Sequence, residues 1–172
     1  FETDESIMET KDITIEEMYL LKKIHFLSLV FSHNGFATPL LKLALKNNIN
    51  PVDIFIALAK DENSDLSKKI LIPLEEEFKN EWFQTEEDLI NHYSKPEVYE
   101  SLFKGEIGMQ RLNLKYMANC IVDTKLLYLA MKTMKDYILK NSKIDNKLID
   151  IVYKISIDNW KLDHLDHKLS KI

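Results

Sequence analysis

Apolar residues recur at spacings of three and four along most of this chain, and short polar stretches separate the periodic runs. The longest run is Gly105 to Lys140. Past Gly108 it contains neither Gly nor Pro, so no residue in it is an obvious helix breaker. Leu114, Met117, Ile121, Tyr128, Met131 and Ile138 fall on one side, and Cys120, Leu127 and Met134 widen that side into a broad apolar face. The pattern predicts one unbroken helix of about 30 residues, roughly 45 Å long. Such a rod is the spine on which shorter helices would dock.

Upstream, Thr14, Ile15, Glu16 and Glu17 form a capping box that opens a helix running to about His33. Asn34-Gly35 supplies the left-handed residue that ends it. Thr38-Pro39 and Asn50-Pro51 start two short helices, the first ending near Asn48 and the second at Lys60, with Pro where a missing N–H costs nothing. After a polar link at 61–65, Leu66 to Phe83 reads as helix with a break or kink at Pro73. Thr85 and Lys95-Pro96 open two more helices, the second closed by Gly105. Asp145 caps a last helix whose apolar side comprises Leu148, Ile151, Val152, Ile155, Trp160 and Leu162. The predicted fold is all-α: a multi-helical bundle of about seven to nine helices around one long central helix. Residues 1–13 read as an N-terminal arm and 14–172 as a single helical domain.

Composition narrows the function classes. The chain has 172 residues, 45% hydrophobic and 30% charged, which suits one globular domain. A net charge of −5 with no basic run leaves no electrostatic footprint for nucleic acid. The most apolar stretch, Met18 to Phe31, is interrupted by Lys22, Lys23 and His25 and is too short to span a bilayer. Cys120 is the only cysteine, which precludes an internal disulfide and fits a reducing, cytoplasmic setting. The chain opens on Phe1 without a Met, and the expectation is a processed chain or a piece of a longer polypeptide whose arm leaves an upstream domain.

Candidate chemistry is sparse. His164 and His167 sit three apart, so on a helix they share a face and could grip a metal. The ordinary alternative is a solvated helix tail, where His suits the negative end of the dipole. Glu-x-x-His, which a carboxylate-bridged di-iron bundle needs on two helices, does not occur. His25 and His33 offer a catalytic base on paper, against the plainer reading of core-edge histidines bonded locally. Cys120 lies among apolar neighbours and reads as a small buried hydrophobe. Glu75 to Glu77 and Glu86 to Asp88 are acids expected at helix starts. Trp82, Phe83, Tyr99 and Phe103 read as packing residues, and Gly105-x-x-Gly108 as a helix end followed by a helix start. No phosphate loop, nucleophile elbow or paired zinc-ligand cysteines occur. No residue is assigned a catalytic role.

Two segments resemble a known family. They are ITIEEMYLLKKIHFLSLVFSHNGFATPLLKLALKNNINPVDIF and NEWFQTEEDLINHYSKPEVYESLFKGEIGMQRLNLKYMA. In order and spacing they resemble the all-helical C-terminal region of cobalamin-binding radical SAM proteins, the iron–sulfur oxidoreductase family. The Glu-Thr pairs and acid-rich stretch before the first helix look like the exit from that family's barrel. The resemblance covers about Met8 to Met134 and rests on helix caps and apolar spacing, with no catalytic signature.

The resemblance implies that a [4Fe–4S] cluster, S-adenosylmethionine and cobalamin belong to the parent enzyme. They would be held by upstream radical SAM and cobalamin-binding domains of the same polypeptide. That cluster needs several thiolates, and this chain has one. The implied role is an accessory domain that caps the barrel or shapes access to it, with an apolar docking surface near Ile7, Met8, Ile13 and Tyr19. A free-standing helical module that binds a partner protein is the rival reading, and a helical metalloenzyme is a third.

Overall fold

In the computed structural model, which describes residues 9–107 and 111–169 (the side chains of the last helix as far as Asn159), every regular element is helical. Among the described residues there are nine α-helices and no strand, so the fold is an all-α bundle. They are α1 (Ile15–Ser28), α2 (Thr38–Lys46), α3 (Pro51–Lys60), α4 (Ile72–Asn80), α5 (Glu86–Tyr93), α6 (Pro96–Phe103), α7 (Leu112–Val122), α8 (Thr124–Lys140) and α9 (Asn146–Leu169). None of them is long and apolar enough to cross a membrane.

The helix boundaries fall where the caps put them. The Thr14 hydroxyl accepts from the Glu17 amide at 3.2 Å, and the Thr14 amide donates to the Glu17 carboxylate at 2.9 Å. Asn50 caps α3 by accepting from the Val52 amide, and Thr85 caps α5 by accepting from Asp88. Gly35 and Gly105 both have positive φ, at +80° and +73°. At Gly105 the Glu106 amide reaches back to the Ser101 carbonyl and the Gly105 amide to Leu102, closing α6 as a Schellman motif. Asn48, at φ +59°, closes α2 the same way, and Ile49 beyond it turns into the core.

Two helices contain a wide turn. Leu29–His33 continues α1 as a π-helical turn, in which the Asn34 amide donates to the Leu29 carbonyl at 3.0 Å. Ser67–Leu71 is a second π turn, ending two residues before Pro73. Pro73 has no N–H and its ring crowds the carbonyl of the preceding turn. Widening that turn lets the chain run on into α4 without a break.

The predicted spine is corrected: it is two helices, not one. Asp123, at φ −99° and ψ 74°, leaves the helical region between α7 and α8. The cause is tertiary. α7 packs on α4 and on the π turn before it, whereas α8 packs among α2, α3 and α9. One straight rod cannot lie along both sets of neighbours, and Asp, a weak helix former, is where the chain turns. The core lies around α8, where Leu127, Met131, Met134 and Ile138 meet Phe26, Phe31, Ile54 and Ile70. Tyr116, Leu126 and Ala130 belong to this buried set, while Leu114, assigned to the apolar side, is exposed.

α9 needs a second correction. Its buried face comprises Ile149 and Ser156, with Val152, Tyr153 and Ile157 partly covered. Leu148, Ile151 and Ile155, which the spacing assigned to its apolar side, are exposed. The helix leans on α2 and α8 with its other side.

Candidate functional site

A cleft of about 240 Å³ lies between α1, α4 and the start of α7. Tyr19, Lys22 and Lys23 come from one face of α1, three and four residues apart. Leu74, Glu75 and Phe78 face them from α4, and Arg111 with Leu112 closes the third side. The aromatic wall is continuous: Tyr19 meets Phe78 edge-on at 5.9 Å between ring centres, and Phe78 meets Trp82 at 5.4 Å. Lys22 lies 4.8 Å above the Phe78 ring, and Lys79 lies 4.8 Å above Tyr19.

Charge in this cleft is paired across elements. Lys23 of α1 reaches Glu75 of α4 at 2.7 Å, and Lys79 meets the same carboxylate. Partial burial alone would raise the Glu75 pKa, but the two lysines outweigh it and hold the carboxyl below its ordinary range. Glu81 is pushed the other way, first by burial and then by the charge of Glu77. On the far side of α4, Glu77 accepts from Lys115 at 2.6 Å and from the Tyr116 hydroxyl at 2.6 Å. Glu75 and Glu77, read from sequence as helix-start acids, thus tie α4 to α1 and to α7. Helical spacing places them on α4, but nothing in it names Lys23, Lys115 or Tyr116 as partners.

Such a cleft can hold a small apolar or aromatic group beside both cations and carboxylates. Among the described residues, no group of three or more His, Cys, Asp and Glu side chains is arranged to hold a metal. His164 and His167 lie on α9, but their side chains are outside the described residues. Gly108 and the proposed docking residues Ile7 and Met8 are outside them altogether. Ile13 and Tyr19, the other two docking candidates, are half-buried.

Several single-residue expectations change. His25 and His33 are exposed and do not sit at the core edge. Tyr99 and Phe103 are not packed inside: Phe103 is 84% exposed, because α5 and α6 pack chiefly on each other. Trp82 and Phe83 do pack, Phe83 lying against His92 at 5.1 Å and Tyr93 at 5.9 Å. Cys120 is fully buried, and burial together with the charge of Asp123 pushes its thiol up to about 12. A thiol held protonated in this way is a poor nucleophile and a poor metal ligand. Compared with known proteins, the chain matches no family model, no curated protein and no solved structure.

Proposed function

We propose that this chain is the accessory C-terminal helical domain of a cobalamin-dependent radical SAM enzyme, capping or shaping access to a catalytic barrel and carrying no catalytic centre of its own. What supports the reading is the punctuation of the resembling segments. Thr14, Gly35, Asn50-Pro51, Thr85 and Gly105 begin and end helices there, as an all-helical family region requires. The residues present do not fit the cluster itself. It needs several thiolates, and the single thiol, Cys120, is buried and held protonated. The [4Fe–4S] cluster, S-adenosylmethionine and cobalamin are therefore assigned to the upstream radical SAM and cobalamin-binding domains. In this reading the helical domain contributes water exclusion and a shaped entrance.

The test is the polypeptide encoded by the complete reading frame. It is expected to carry Cys-x-x-x-Cys-x-x-Cys upstream and to bind an iron–sulfur cluster after anaerobic reconstitution. Amide exchange in residues 15–33 should be slower in that polypeptide than in this chain alone. A reading frame without the motif, or exchange that is the same in both, would overturn the assignment.

A second reading, a free-standing helical protein-interaction module, is favoured by one observation: the exposed apolar stripe of α9 lies outside the region that carries the resemblance.

A further inference from the structure

We infer that the outer face of α9 is a docking seam for an amphipathic helix with acidic flanks, on a partner protein. The inference concerns α9 alone and holds under either reading above. Leu148, Ile151 and Ile155 are 48%, 57% and 44% exposed, large values for three aliphatic side chains on one face. At 100° per residue, this stripe lies about 130° around the helix from the side that packs on α2 and α8. The helix therefore has two apolar faces, and its own fold covers one.

The spacing shows what the outer face is built for. Leu148 and Ile155 begin a heptad series that the sequence continues at Leu162 and Leu169, and Ile151 begins the interleaved series that includes Leu165. Only Asp158 interrupts it. Apart from Asp158, a seven-residue alternation along a 24-residue helix is the pattern of a coiled-coil seam, narrower than an ordinary core stripe.

Charge identifies the occupant. The flanking position before each Leu148-type residue is lysine four times in succession: Lys147, Lys154, Lys161 and Lys168. Among the described residues neither Lys147 nor Lys154 is ion-paired. The opposite flank reads Val152, Asn159 and Asp166. In a parallel pair of identical chains, each lysine flank would face that second row, with Asp166 the only acid in it. In an antiparallel pair the lysines would face lysines. Either a parallel pairing in register or a close antiparallel one would also bring the two copies' Asp158 residues toward each other in the seam. A second copy is thus disfavoured by both flank and seam, and a helix with Glu or Asp along its flanks is favoured by the lysine row, of which Lys147 and Lys154 are described and carry no ion pair.

The experiment uses the whole chain and two fluorescent peptides of about four heptads. Both have Leu at the seam positions; one has Glu on its flanks and the other Lys. The acidic peptide is expected to bind at least about tenfold more tightly than the basic one, and less tightly as salt is raised. Ile155→Glu should weaken binding by about tenfold or more while leaving the melting temperature unchanged, because the residue is exposed. Lys154→Glu, which leaves the seam intact, should narrow the gap between the two peptides. Failure of both peptides to bind, equal binding of both, or a stable homodimer that Ile155→Glu dissociates would each overturn the inference.

Discussion

The Tyr116 hydroxyl donates to the Glu77 carboxylate at 2.6 Å, and this bond pins the first half of the broken spine to α4, the helix with Pro73 in its first turn. Tyr116 is buried, and burial and then Glu77 raise its pKa. Burial would raise the Glu77 pKa as well, but hydrogen bonds from Lys115 and Tyr116 outweigh it and hold that carboxyl low. α7 can leave the line of α8 because this bond gives it somewhere else to go.

Tyr116→Phe removes the bond and keeps the ring, and should cost about 1 kcal/mol in urea denaturation at neutral pH. The folded Glu77 carboxyl titrates below the unfolded one. The bond's contribution is therefore full above the unfolded carboxylate pKa of about 4.3 and fades as pH falls through the folded value. The difference between wild type and variant should shrink in that acidic window. A constant difference down to acid would mean that the phenol does not act through the carboxylate.

Cys120 should resist a thiol reagent in the native protein and react fully once the chain is unfolded. The side chain is fully buried, and its thiol is raised to about 12 by burial and by Asp123. Prompt stoichiometric labelling under native conditions would show that α7 opens or is placed differently.

Two substitutions bound the first helix. Thr14→Ala loses the capping box and should destabilise the protein by about 1 kcal/mol. Gly35→Ala should cost about 1 kcal/mol or slightly more. Among the described residues an added Cβ there would meet only the Thr38 hydroxyl, at 3.7 Å, so the cost comes from φ +80° and not from crowding. Denaturation curves that overlay wild type would place the end of α1 elsewhere.

Met134→Ala and Leu114→Ala separate the real core from the predicted face. Met134 is fully buried within α8, and its truncation should cost about 3 kcal/mol. Leu114, half-exposed on α7, should cost less than about 0.5 kcal/mol. Equal losses would restore the single rod that the periodicity alone suggests.

What the sequence by itself determined is local. Thr14, Asn50, Thr85 and Asp145 accept from amides within three residues of themselves, and Gly35 and Gly105 take up a backbone conformation set at one position. Those signals need no distant partner, so the class of fold and most helix ends were legible. What only the tertiary structure decided depends on residues far apart in the chain. Asp123 carries no breaker that spacing could reveal; the break there follows from α7 and α8 having different neighbours. The cleft is likewise a meeting of Lys23, Glu75 and Leu112 from three helices. α9 shows the limit most plainly. Periodicity states that a helix has an apolar stripe, but only packing chooses which apolar side is covered, and here the core took Ile149 and left Leu148, Ile151 and Ile155 outside. Burial depends on which surfaces are complementary in shape and reach, and that is a property of pairs of helices.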